Sequence, residues 1–216
     1  MERINYCIKT GKKDLEKAEK KVVEGLERVS SELPKDDDLD IDLGWTSQDF
    51  VVENMNGTTG KCINSEWIEI KFNSNGENWE KNLVSTVVHE YTHSWFYEEI
   101  GHRAKTMWLY ILDEALTQHF SKKLVPEASH EKSTKFSREE ISEYWSKIKE
   151  EQVDRKDSKI SRPLFVNRGD SEYPNWLGYS LAYQIGKELL KNHRPEEFTE
   201  LGKQDVIRAG DKLFIS

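Results

Sequence analysis

Cysteine is scarce: the 216 residues contain two, Cys7 and Cys62, lying 55 positions apart. That spacing matches neither a paired zinc-thiolate motif nor a redox Cys-x-x-Cys, so a disulfide scaffold and a thiolate metal site are excluded. Two reduced thiols in a cytosolic protein are expected instead. Long apolar runs are missing too. The longest, Met107 to Leu112, is far short of the ~18 residues of a membrane span, and no membrane partner is expected. The opening Met-Glu-Arg-Ile-Asn-Tyr-Cys has no basic stretch followed by an apolar one, so no secretory leader is expected. Positive charge is in deficit: 32 Lys and Arg stand against 40 Asp and Glu, a net charge of −8. Binding to nucleic-acid phosphates needs a basic surface, which sets that class of partner aside.

Aromatic side chains supply what the other apolar residues do not. Seven Trp, eight Tyr and eight Phe can each bury ~150–250 Å², so a packed core is feasible although 33% of residues are charged. The length suits one domain, 1–216, with an N-terminal α+β lobe over 1–105 and a helical C-terminal lobe over 106–216. Leu15, Ala18, Val22, Leu26, Val29 and Leu33 recur at helical spacing and predict an amphipathic helix over 12–33 that Pro34 ends. Asp38, Asp40 and Asp42 alternate like a calcium loop, but Gly44 falls one place late and no Glu follows at the twelfth position. The interleaved Leu39, Ile41 and Leu43 predict a strand there instead. Residues 50–53 and 62–72 read as strands around the turn-rich Asn56-Gly57-Thr58-Thr59-Gly60, with Ile68, Ile70 and Phe72 on one face. Helices are expected over 78–100, 106–123, 137–151 (opened by a Ser137/Glu140 capping box) and 174–193, with a short one after Pro195 that Gly202 stops. The fold class is α+β, a small mixed sheet followed by a mainly helical C-terminal half.

The segment Val87-Val88-His89-Glu90-Tyr91-Thr92-His93-Ser94-Trp95 contains His-Glu-x-x-His. Residues four apart stand one above the other on a helix, so His89 and His93 can offer ring nitrogens to one zinc ion. Glu90, between them in sequence, can take a proton from a water at that ion. At this chain's histidine and glutamate content the string arises by chance about 0.02 times. On a helical wheel Val84, Val87, Val88, Tyr91 and Trp95 share one side, and the two histidines fall opposite. Catalytic zinc commonly takes three protein ligands. Candidates for the third are Asp113, Glu114 and His119, which the wheel does not separate, because Trp108 to Phe120 is apolar nearly all round. The longer pattern with a third His six residues after the second is excluded by Phe96 and Glu99.

His89-Glu90-Tyr91-Thr92-His93 followed by Leu112-Asp113-Glu114-Ala115-Leu116-Thr117, with Trp176-Leu177-Gly178-Tyr179 near the C-terminus, resembles the gluzincin arrangement. More narrowly it resembles the YjaZ-like family of predicted zinc-dependent proteases, over roughly residues 50–215. Ala115 and Thr117 stand where Gly and Ala are more usual, and neither change removes a ligand. The resemblance implies a zincin-like fold, Glu114 as third ligand, one Zn²⁺ per chain, Glu90 as general base and a peptide or protein substrate. It also implies a further donor for the oxyanion, for which Tyr179 is the candidate and Tyr183, one turn on, the substitute. Gln118, one turn after Glu114, can orient a ligand there, but a plain surface glutamine is the expected reading. If 65–72 is a sheet edge, an extended peptide can add to it by main-chain hydrogen bonds. The acidic average surface favours basic or neutral peptides. The second reading is a non-catalytic zincin-like module that binds a protein partner.

Overall fold

The computed structural model describes residues 3–7, 12–102, 104–156, 162–165 and 171–215. In chain order they form β1 (Arg3–Cys7), α1 (Lys12–Ser30), β2 (Asp40–Trp45), α2 (Asp49–Asn54), β3 (Thr58–Asn64), β4 (Trp67–Phe72) and α3 (Trp79–Glu99). Then come α4 (Met107–Leu124), α5 (Glu131–Thr134), α6 (Arg138–Glu151), α7 (Arg162–Phe165), α8 (Leu177–Leu189), a 3-10 turn over Pro195–Glu200 and α9 (Lys203–Phe214). The class is α+β with a helical C-terminal half. Two compact units divide the chain: Met1–Arg103 with Phe120–Ser129, and Ala104–His119 with His130–Ser216.

The first unit is built on a sheet of order β1-β2-β4-β3, parallel except for the antiparallel β3–β4 pair. Alternation decides its faces. Ile41 and Leu43 of β2 pair with Ile68 and Ile70 of β4, and all four are fully buried, whereas Asp40 and Lys71 point to solvent. Helix α3 packs against β3 and β4 on one side and α1 on another. The stripe expected on α1 is the buried one: Ala18, Val22, Leu26 and Val29 are inside, and Leu33 follows them. The two helices approach closely because position 25 is glycine; a Cβ there would lie 2.8 Å from the Val87 Cβ.

Three expectations change. Residues 50–53 are helical, within α2: Phe50-Val51-Val52 is too short an apolar run for periodicity to separate strand from helix. The Gln48 carbonyl accepts from the Val51 and Val52 N–H groups and starts the turn. The strand expected over 62–72 is a hairpin. Ser65-Glu66 breaks it, with the Asn64 side chain accepting from the Glu66 N–H at 2.9 Å as an Asx turn. Consequently β4 lies inside the sheet between β2 and β3, and β3 is the edge. Strand β1, in which Ile4 and Tyr6 alternate with Arg3 and Asn5, closes the opposite edge and was not among the expected strands.

In the second unit α6 opens on the Ser137/Glu140 capping box, with both reciprocal bonds made. Helix α9 follows Gly202 and packs on α6 and α8; Leu201, not Gly202, caps the 3-10 turn, and the glycine is instead the N-cap of a helix the periodicity reading did not find. Trp145 of α6 is buried there and donates its indole N–H to Asp211 at 2.8 Å. Helix α8 starts at Leu177 rather than Pro174, because Trp176 takes a left-handed conformation (φ 74°) just before it.

Ile70 sits at the centre of the inner sheet face, so Ile70→Ala is expected to cost about 2–5 kcal/mol of stability. Urea unfolding measures this as a lower midpoint at unchanged slope; a change below about 0.5 kcal/mol would contradict its central position.

Candidate functional site

Helix α3 has three differently occupied sides. Val87 faces α1, Tyr91 donates its hydroxyl to the Leu33 carbonyl at 2.9 Å, and the Trp95 indole donates to Pro34 O at 3.1 Å. Thr86, Glu90 and Ser94 face the sheet: Thr86 pairs with the Thr58 hydroxyl at 3.0 Å, and Ser94 donates to Ser65 O at 2.6 Å. His89 and His93 occupy the remaining side. The wheel was right to separate them from the apolar stripe, yet this side is not open surface, since His93 is only 5% exposed.

The two imidazoles stand edge to face, ring centres 4.7 Å apart, and their Nε2 atoms are 3.1 Å from each other. Two nitrogens bound to one tetrahedral zinc at ~2.0–2.1 Å would be about 3.3–3.4 Å apart. The pair therefore meets the spacing of a two-nitrogen ligand set almost without adjustment. Tyr97, one turn further, lies with its ring centre 6.1 Å from that of His93, the planes 25° apart.

Glu90 is buried against β3. Gly60 pairs in register with Ile70, so any side chain at position 60 would point to the inner face. There is none, and the Glu90 carboxyl fills the place: a Cβ on Gly60 would lie 2.7 Å from Glu90 Oε1. This notch brings a carboxylate to the edge strand of the sheet. Nothing in the sequence distinguishes Gly60 from an ordinary turn glycine, because its role depends on a helix thirty residues later.

In the second unit, Glu114 is 1% exposed on α4. A buried carboxylate needs donors, and the structure supplies them in a chain. Gln118 Nε2 donates to Glu114 Oε2 at 3.2 Å, and the Thr117 hydroxyl lies 3.5 Å from the same oxygen. Gln118 Oε1 in turn accepts from the hydroxyl of Ser133 on α5. Gln118 is thus buried and orients Glu114, not a surface residue. Ser133 carried no signal in the sequence; only its place on α5 reveals it. Asp113 is fully buried beside Glu114, and His119 is partly exposed.

Tyr179 of α8 is half-buried, its ring edge to face with Phe165 at 5.0 Å and under the Lys132 ammonium at 5.6 Å. Tyr183 carries the Lys187 ammonium at 5.8 Å. Among the described residues, His89, His93 and Glu114, each offering one ligand atom, are a group of side chains that could hold a metal ion. The donor types suit zinc: two neutral imidazoles and one carboxylate.

A family model described as "Predicted Zn-dependent protease (DUF2268)" matches residues 15–208. None of the curated proteins and none of the solved structures compared with the chain matches it.

If Glu114 holds a zinc ion, the Glu114–Gln118–Ser133 chain makes Gln118→Ala raise the zinc Kd about 10–100-fold. Competition with a chromophoric chelator measures this, with the thermal midpoint of the metal-free protein as a control for folding. An unchanged Kd would remove Gln118 from any part in holding the ligand.

Proposed function

The chain belongs to this family of predicted zinc-dependent proteases, and from that premise we propose that it is a gluzincin-type metallopeptidase holding one Zn²⁺ per chain through His89, His93 and Glu114. The observation that carries the reading is the His89–His93 pair, two ring nitrogens 3.1 Å apart on one helix. Between them in sequence stands a carboxylate seated in the Gly60 notch. The buried, hydrogen-bonded Glu114 supports it further. Zinc bound by these ligands supplies Lewis acidity to the scissile carbonyl and to the attacking water. Glu90 accepts the proton of that water and delivers it to the leaving amine. The Tyr179 phenol donates a hydrogen bond to the developing oxyanion. An extended substrate pairs with β3, whose outer edge offers main-chain donors and acceptors beside Glu90.

No helix of the described residues is long and apolar enough to cross a membrane. With two cysteines in the whole chain, the reading places the protein in the cytosol, acting on peptide or protein substrates and not on nucleic acid. Its fold, on this reading, is zincin-like.

Purified protein is expected to carry about one zinc per chain and to cleave members of an unbiased peptide library, both lost on chelation. Glu90→Gln should retain the zinc and lower kcat by a factor on the order of 10²–10⁴. Turnover preserved in that variant would remove Glu90 from its assigned role. Zinc bound by the wild type without any cleavage would leave a metal-binding module instead.

A further inference from the structure

Two glycines near the start of β3 are there for different reasons. Gly57, at φ 79°, has a backbone conformation in which an L side chain would be strained. Gly60 has no such need: its φ lies outside the left-handed region, and it pairs in register with Ile70. Its neighbours on the same face of the strand, Thr58 and Cys62, are both 4% exposed. Alternation therefore calls for a buried side chain at position 60 as well, and a glycine inside a strand weakens it. Space is what requires the glycine. A Cβ there would overlap Glu90 Cγ and lie 2.7 Å from Oε1 and 2.8 Å from Cδ.

The helix is not free to back away. Thr86, one turn before Glu90, shares a 3.0 Å hydrogen bond with the Thr58 hydroxyl, and Ser94, one turn after it, donates to Ser65 O at 2.6 Å. Withdrawing α3 from β3 would break both bonds. What can yield is the Glu90 side chain. Its Cγ is placed by the first side-chain torsion, and Cγ itself is overlapped, so a small swing of the carboxylate does not clear the contact. The side chain has to enter another staggered well, and that carries the whole carboxylate away from β3.

We infer that Gly60 is a positioning residue for the general base: the missing side chain at position 60 keeps the Glu90 carboxylate in its working place. Even a methyl group there removes general-base catalysis while the fold and the metal ligands are kept. This rests on the metallopeptidase reading of the site, in which Glu90 moves the proton. It gives the edge strand a part in the chemistry beyond offering main-chain partners to a substrate. His89 and His93 lie on a different side of α3 from Glu90, so displacing the carboxylate leaves the imidazole pair as it is. A misplacement of about 1 Å at a reacting group can lower a rate by about 10²-fold.

The test compares the zinc-loaded full chain carrying Gly60→Ala with wild type, on a peptide that the library selects. The variant is expected to hold its zinc, to keep its KM and to lose about 10²-fold in kcat. In Glu90→Gln protein the same substitution should leave the residual kcat unaltered, because the carboxylate it displaces is already gone. Thr59→Ala, next along β3 but on its other face, should leave kcat unchanged. Wild-type kcat in Gly60→Ala, loss of its zinc, a matching loss in Thr59→Ala, or an equal fold loss in the Glu90→Gln background overturns the assignment. Unfolding midpoints of the metal-free proteins separate this from failure of the peptidase reading. Gly60→Ala should lower the midpoint by about 2–4 °C when Glu90 is present. In Glu90→Ala protein it should raise the midpoint, because the notch is then vacant and alanine suits a strand better than glycine. If no peptide is cleaved, that reversal of sign still supports the seating of Glu90 at Gly60, and a change of the same sign and size in both backgrounds overturns it. Failure of Gly60→Ala to fold, while Gly60→Ala/Glu90→Ala folds, counts as the same reversal.

Discussion

The four-residue spacing of His89 and His93 places two nitrogens 3.1 Å apart while α3 keeps a regular helix, and the rotation of α3 about its axis decides which way the pair faces. The rest of the first unit supplies that rotation. On one side Val87 meets α1 at Gly25, with Tyr91 and Trp95 bonded to the chain just beyond α1. On another, Thr86, Glu90 and Ser94 are tied to β3 and the turn after it. Two of the helix's three sides are locked, and the third presents the imidazoles. For the metal site proposed above, fixing the two imidazoles in advance removes part of the ordering cost of binding.

The same economy appears around the proposed third ligand. A carboxylate buried on α4 would be costly without compensation. One turn on, Gln118 donates to Oε2 and Ser133 fixes Gln118 in turn, while the Thr117 hydroxyl donates to the Glu114 backbone carbonyl at 3.0 Å. Because Ser133 belongs to α5, the segment that orients Glu114 also carries Lys132 to Tyr179. One turn of helix thus touches both the support of the carboxylate proposed to hold the ion and the tyrosine proposed to meet the oxyanion.

How legible was this in the chain alone? The chemistry-bearing string was, because His-Glu-x-x-His encodes its geometry within one helical turn. So were α1, α3 and α6, whose apolar spacing or capping box is local. The family model takes in α1 as well, beyond the 50–215 stretch in which the resemblance was legible. What escaped depends on contacts distant in sequence. The break at Ser65-Glu66 moved the edge of the sheet from β4 to β3, a reassignment that rests on one Asx turn. Gly60 gains its meaning from Glu90, and Ser133 from Gln118. Gln118 was considered as an orienting group, but burial was needed to separate that role from an ordinary surface glutamine. The apolar circumference of α4 hid the choice among Asp113, Glu114 and His119 in the same way.

The central claim concerns the protein ligands of one zinc ion, and X-ray absorption at the zinc edge of the loaded protein reads them directly. The account predicts two imidazoles and one carboxylate oxygen from the protein, no sulfur, and loss of the carboxylate contribution in Glu114→Ala with both imidazoles retained. A shell containing sulfur, a single imidazole, or a spectrum that Glu114→Ala leaves unchanged would contradict it.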